Sequence, residues 1–241
     1  MANRIIYLRI LGYILTIAMH VGNLTYLRMT MKPEQLKDPQ LISFRRLQPR
    51  YFTVWTFVLH IVHAWVGIVC DYLILYNSKT KHYKLPKHLK GFKDTLFSAI
   101  LWPSTWVVFS VFWTLFLYDR NLIYPDFLDK ILTSTSNHIM HTAIVPVVLW
   151  EVCFRPRVQP RSHKRNIFHL AFHLLLYFAV LTYTYIEQNI WIYPIFGVFY
   201  GTIYFPLLPI TVGVIAFTFY FLQWTLNNYI WSSVTKIKKV R

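Results

Sequence analysis

Long apolar stretches constrain the fold of this chain more than any other feature of its sequence. Six of them lie near residues 5–27, 52–76, 95–117, 138–154, 167–187 and 198–222. A helix needs about 20 such residues to cross the hydrocarbon core of a bilayer. Because lipid offers no hydrogen-bond partners, the backbone N–H and C=O groups must bond to each other within the helix. We therefore predict an all-α fold, a polytopic membrane helical bundle of about six transmembrane helices that forms a single domain over residues 1–241.

The fourth stretch, 138–154, differs from the others because it is short and contains Pro146 and Glu151. Proline inside a helix removes one hydrogen bond and clashes with the preceding turn. A carboxylate is costly against acyl chains. We predict a kink or free carbonyl groups near Pro146, and a Glu151 side chain that faces protein rather than lipid.

Positive charge is concentrated between the apolar stretches. The net charge is +16, and the 25 Lys and Arg residues occur mostly in short runs. With the N-terminus in the cytoplasm, 17 of them fall on the cytoplasmic side and 8 on the other, although loop 28–50 carries six against the rule. This bias predicts both termini in the cytoplasm. We expect a multi-pass protein of the endoplasmic reticulum or plasma membrane, with no nucleic-acid partner.

Polar residues recur on one face of the second stretch. At 100° per residue, Thr53, Thr56, His60, His63 and Asp71 fall within about 80° of arc. Each polar group inside a membrane is a candidate for function. A stripe of hydrogen bonds between helices explains the same pattern, so both interpretations stay open.

Two histidines, His138 and His141, share a face at the start of the fourth stretch. An imidazole can act as a general base and acid near neutral pH, and capping or packing is the alternative. In the predicted topology the second and fourth stretches both run inward from the non-cytoplasmic side. Thr53 and His141 then lie at similar depth, and a hydroxyl with an imidazole is the minimum for a nucleophile–base pair.

A third histidine pair, His169 and His173, lies in the fifth stretch. Zinc takes three protein ligands and a water in catalytic sites, so three pairs raise the question of a metal. The third pair should lie near the cytoplasmic face, away from the pair in the fourth stretch, and the sequence has no HExxH motif. We predict no metal site and no cofactor.

The chain contains several distinctive motifs: FW at 112–113, YDRNLIYP at 118–125, LD at 128–129, NHIMHT at 137–142, WIYP at 191–194 and LNNYIW at 226–231. Together they resemble the motifs of a known family, the androgen-induced membrane proteins. The resemblance implies a multi-pass threonine hydrolase that cleaves fatty-acid esters of hydroxy fatty acids with an intramembrane Thr and His. The family's His matches His141, and its Thr matches Thr53, where Pro49 and Arg50 replace the family's Trp and Lys.

The hypothesis from the sequence is therefore a lipid-ester hydrolase with Thr53 as nucleophile and His141 as base. Arg50 or Arg120 would pair with the carboxylate of a branched fatty-acid ester, and His138 would help to position it. One alternative is a non-enzymatic membrane protein that binds lipid as a scaffold or regulator. Another is a metal-dependent membrane hydrolase that uses the paired histidines.

Overall fold

Six long apolar helical segments build the molecule, seen here in a computed structural model that describes residues 2–35, 37–80 and 83–239. No strand occurs in this part of the chain, which confirms the predicted all-α membrane bundle. The helices are α1 (Ala2–Met29), α2 (Pro39–Leu47), α3 (Phe52–Tyr76), α4 (Lys87–Thr95), α5 (Trp102–Asp119), α6 (Ser134–His141), α7 (Ile144–Phe154), α8 (Lys164–Gln188), α9 (Pro194–Phe199) and α10 (Leu207–Lys239).

The third membrane segment is longer than the predicted 95–117. A π-helical turn, Leu96–Leu101, joins α4 to α5, so the apolar segment extends over Lys87–Leu122. In that turn the Trp102 N–H bonds to the Phe97 carbonyl, five residues earlier. The apolar pattern begins only after α4, which is amphipathic and polar, so the sequence pattern placed the start too late.

The last membrane segment begins later than the predicted 198–222. The short α9 is followed by turns, and α10 starts at Leu207. Gly201 takes a φ of +79°, which interrupts a right-handed helix. Pro206, directly before α10, lacks an N–H and suits a helix start. Apolarity continues through this break, so hydropathy alone could not locate it.

The fourth segment is broken, as Pro146 predicted. It begins at Ser134, before the predicted residue 138, and divides into α6 and α7 at Thr142 and Ala143. The N–H groups of both these residues donate to the His138 carbonyl, at 2.8 Å each. Pro146 has no N–H to give the Thr142 carbonyl, so an unbroken helix would lack that bond. The break leaves His141 as the last residue of α6.

A buried cluster of charged residues closes one end of the bundle. Asp71 of α3 accepts from Arg9 Nε and Nη2, both at 2.8 Å, and from Arg155 Nη2 at 2.7 Å. Glu151 accepts from the Tyr13 hydroxyl at 2.5 Å. It also lies 3.1 Å from Lys93 Nζ, so it faces protein partners, as predicted.

Close packing of α1 on α3 supports this cluster. Gly67 faces the Tyr13 ring, and a Cβ at Gly67 would lie 2.5 Å from Tyr13 Cζ. The small residue therefore lets Tyr13 reach Glu151. Asp71 lies 18 residues after Thr53, about 27 Å along α3, so the cluster is at the far end of the bundle from Thr53.

Candidate functional site

An apolar cavity of about 170 Å³ lies at the end of the bundle where α3 begins. Its walls come from α2, α3, α5, α6, α8, α9 and α10, from residues next to these helices, and from the segment 123–132. Most of the lining is aliphatic or aromatic. The polar side chains that line it are Gln48, Tyr51, Thr53, Tyr124, His141, Tyr177 and Tyr193.

Thr53 and His141 meet at this cavity. Thr53 Oγ1 lies 3.4 Å from His141 Nε2. Tyr51 has extended backbone angles and starts α3, which places Thr53 in the first helical turn. The distance is slightly beyond the 2.6–3.2 Å of a working nucleophile–base contact and is typical of a site without substrate.

The His141 ring is held on two sides. Its Nδ1 lies 2.7 Å from Asn137 Oδ1 and 3.1 Å from the Asn137 carbonyl oxygen. A carbonyl oxygen only accepts, so Nδ1 carries the proton and Nε2 presents a lone pair to Thr53. The ring also stacks on Phe112, with centroids 3.5 Å apart and planes 5° from parallel.

Asn137 is the functional residue that sequence reasoning missed. It is buried, one helical turn before His141, and its amide oxygen fixes the imidazole. The i, i+4 spacing was the available signal, because such residues face each other on a helix. A base oriented by a third group is the general arrangement of nucleophile–base–orienter sites.

His138 lies outside the cavity. Its ring is exposed, stacks on Trp113 at 5.1 Å, and places Nδ1 3.1 Å from Thr142 Oγ1. The two histidines of the motif are therefore not equivalent. Only His141 faces Thr53.

Neither predicted carboxylate-binding arginine lines the cavity. Arg50 Nη1 forms an ion pair with Glu187 at 2.6 Å and donates to Thr184 Oγ1 at 3.2 Å. Arg120 Nη2 pairs with Asp129 at 2.6 Å. The structure does not bring either guanidinium to Thr53.

Two tyrosines close the N-terminal end of α3. The Phe52 N–H donates to the hydroxyl oxygens of both Tyr177 and Tyr193, at 3.0 Å each. The Tyr177 hydroxyl donates to the Tyr193 oxygen at 3.3 Å. Burial raises the pKa of Tyr193 even though hydrogen bonds from Tyr177, Phe52 and Thr53 lower it, so this phenol is neutral at physiological pH.

The rest of the polar face of α3 makes contacts between helices. His60 Nε2 lies 3.1 Å from Thr105 Oγ1 of α5, and His63 Nε2 is 3.9 Å from Glu151. His173 packs against the Phe52 ring. The histidine pairs thus have separate neighbours, and the described residues include no group of three or more His, Cys, Asp or Glu placed to hold a metal ion.

Comparison with known protein families shows to which family the chain is related. The profile of the FAR-17a/AIG1-like protein family matches residues 10–228, which is most of the chain. The chain belongs to the FAR-17a/AIG1-like family. That range contains Thr53, Asn137, His141 and Tyr193, and the relationship confirms the family expected from the motifs.

Individual relatives in this family are moderately similar. The human androgen-dependent TFPI-regulating protein is 33% identical over 195 residues, covering 80% of this chain and 81% of that protein. The mouse protein of the same name is 31% identical over 193 residues, covering 78% and 79%. The human androgen-induced gene 1 protein is 25% identical over 190 residues, covering 76% and 78%. No solved structure matches the chain.

Proposed function

We propose that this FAR-17a/AIG1-like protein is an intramembrane hydrolase of lipid esters, with fatty-acid esters of hydroxy fatty acids as the substrate class. The observation that carries the proposal is the contact of Thr53 Oγ1 with His141 Nε2 at 3.4 Å. It occurs in an apolar cavity, and the opposite ring nitrogen is held by Asn137. A threonine hydroxyl is a weak nucleophile by itself and needs such a base.

The reaction divides into acylation and deacylation. Thr53 Oγ1 attacks the ester carbonyl carbon, its proton passes to His141 Nε2, and the carbonyl oxygen becomes an oxyanion. The intermediate collapses when the bond to the hydroxy-acid oxygen breaks, and that oxygen takes the proton from Nε2. Water then attacks the acyl–Thr53 ester by the same steps, which frees the fatty acid and restores the Thr53 hydroxyl.

The lining of the cavity supports a lipid substrate. Aliphatic side chains of α5, α8 and α10 surround the Thr53 hydroxyl, so two acyl arms can lie against them without entering water. The substrate carboxylate needs a cation or donors near the mouth. Arg50 lies between the cavity-lining residues Gln48 and Tyr51 and is the better placed of the two arginines, provided that the carboxylate exchanges with Glu187.

A pair of threonine variants tests the proposal. Purified protein in lipid nanodiscs is given a branched fatty-acid ester and, separately, a fluorophosphonate probe. Thr53→Ala should lose both hydrolysis and labelling. Thr56→Ala is the matched control, since Thr56 is a buried threonine one turn further along α3 and does not line the cavity. Hydrolysis that persists in Thr53→Ala would refute the threonine mechanism.

A regulatory role without catalysis is the second candidate. The relatives that match most of this chain are named for regulation of TFPI, and a cavity lined by apolar side chains can also serve a binding protein. The same experiment separates the two functions. A wild-type protein that binds the ester in the cavity but never releases its acids would favour the regulator.

A further inference from the structure

An ester attacked at Thr53 develops a negative charge on its carbonyl oxygen, and the site must stabilise it. In an apolar cavity this requires donors already in place, because water cannot reorganise around the charge. None of the residues that line the cavity is a lysine or an arginine. The donor must therefore come from the polar side chains or the backbone around Thr53.

Three of these polar side chains already have other roles. The Tyr124 hydroxyl is directed to the Leu132 carbonyl at 3.4 Å. The Tyr177 hydroxyl is used on Tyr193. His141 faces Thr53 with Nε2, which must accept the proton of the Thr53 hydroxyl and so cannot donate to the oxyanion.

Tyr193 differs because its oxygen already receives hydrogen bonds. It accepts from the Phe52 N–H at 3.0 Å and from the Tyr177 hydroxyl at 3.3 Å, and it lines the same cavity as Thr53. With its acceptor positions occupied, the phenol has its own proton to donate. Phe52, which donates to this oxygen, directly precedes Thr53 in the first turn of α3.

We propose, on the basis of the hydrolase function above, that the Tyr193 hydroxyl is the oxyanion donor of this site. In the resting state it lines the same cavity as Thr53, whose own proton is directed to His141 Nε2. When Oγ1 bonds to the ester carbon, the Tyr193 O–H shifts to the adjacent oxyanion and donates to it without giving up its proton. Bonds received from Tyr177 and from the start of α3 polarise the phenol and strengthen this donation.

The test compares Tyr193→Phe with a matched control. Tyr193→Phe keeps the ring and removes the donor, so kcat should fall by about 100- to 1000-fold, with little change in KM. Tyr185→Phe is the control, since Tyr185 stacks on Trp191 of the same segment and does not line the cavity. Its kcat should equal that of the wild type.

Binding of inhibitors separates a catalytic role from a structural one. A boronic acid forms a tetrahedral adduct on Thr53, and its affinity should fall in Tyr193→Phe by the same factor as kcat. A non-hydrolysable ether analogue of the substrate should bind as in the wild type. Loss of affinity for both ligands, or a normal kcat in Tyr193→Phe, would overturn the proposal.

A second variant covers the case in which Tyr193→Phe does not fold. Replacement of Tyr193 by 2,3,5-trifluorotyrosine keeps the packing and makes the phenol more acidic. The alkaline loss of kcat should then move to lower pH, because an ionised phenol cannot donate. An unchanged pH profile would overturn the proposal.

The two proposals can fail separately. If Thr53→Ala is inactive and Tyr193→Phe is fully active, only the oxyanion role of Tyr193 is wrong. If Thr53→Ala is active, the threonine hydrolase mechanism itself is wrong.

Discussion

At the scale of single residues, the neighbours of the His141 ring set which nitrogen carries its proton. Asn137 presents two acceptor oxygens to Nδ1, and Phe112 fixes the plane of the ring. His138, three residues earlier, has a hydroxyl beside its Nδ1 and Trp113 beside its ring, is exposed, and lies outside the cavity. The chemical difference between two identical side chains therefore comes from their surroundings.

The first prediction compares these two histidines. We expect His141→Ala to lower kcat by about 100- to 10 000-fold, the usual contribution of a general base, while the protein still reaches the membrane. His138→Ala should keep partial activity, because only its stacking on Trp113 and its contact with Thr142 are lost. Ester hydrolysis by purified protein measures both. Equal losses together with sensitivity to a chelator would favour the metal-dependent alternative.

The second prediction concerns Asn137. Asn137→Leu removes the side-chain acceptor at Nδ1 and frees the ring to turn, so kcat should fall by about 10- to 100-fold. Asn137→Asp keeps an acceptor oxygen and should recover much of that loss. The rate of fluorophosphonate labelling at Thr53 provides an independent reading. Equal labelling rates in wild type and Asn137→Leu would show that Asn137 does not orient the His141 ring.

At the scale of elements, the broken fourth segment positions the base. α6 ends at His141, and α7 begins at Ile144 after a break at Thr142 and Ala143. An unbroken helix would carry His141 along the axis of α7 instead of leaving it at a helix end. Pro146, which weakens this segment as a membrane helix, therefore also helps to position the His141 imidazole.

The third prediction tests that break. Pro146→Ala restores an N–H for the Thr142 carbonyl and favours continuation of α6 into α7. We expect thermal stability to stay equal or rise, while kcat falls by about 100-fold if His141 moves by about 1 Å. Melting temperature and hydrolysis are measured on the same preparation. Normal activity with raised stability would show that the break has no role in positioning.

At the scale of the whole molecule, polar groups divide between two ends of the bundle. The charged cluster around Asp71 and Glu151 joins α1, α3, α4 and α7 at one end. The neutral Thr53–His141 site occupies the other. Between them the buried polar side chains, such as His60 and Thr105, contact one another across helices. Many exposed side chains are large and hydrophobic, as a lipid-facing surface requires.

The fourth prediction concerns the stability that the cluster provides. Glu151→Ala leaves Lys93 without its carboxylate partner and Arg155 with Asp71 alone, and breaking such a buried pair costs about 3–5 kcal/mol. The free energy of unfolding in mild detergent should fall by that amount. Glu34→Ala removes an exposed carboxylate and should change it by less than about 0.5 kcal/mol. Similar values for the two variants would contradict the structural role.

The fifth prediction concerns orientation. The loop charges predict that both termini lie in the cytoplasm and that the start of α3 and the cavity beside it face the opposite side. Tags at either end should resist protease in intact cells and become accessible only when the membrane is opened. A C-terminal tag cleaved in intact cells would reject this topology.

The sequence by itself determined the membrane bundle, the break near Pro146, the inward Glu151 and the two residues that meet at the cavity. These follow from local rules: apolar length, the missing proline N–H, the cost of a charge in lipid, and depth counted along a helix. Only the tertiary structure decided the rest. Asn137 as the orienting group, Arg50 and Arg120 as ion-pair partners of acidic side chains, and Tyr193 beside Thr53 all depend on which faces of distant segments meet. Hydropathy does not predict how a helix is rotated about its axis or where a loop runs, because lipid accepts an apolar face in any direction. Side-chain packing determines both the rotation and the loop path.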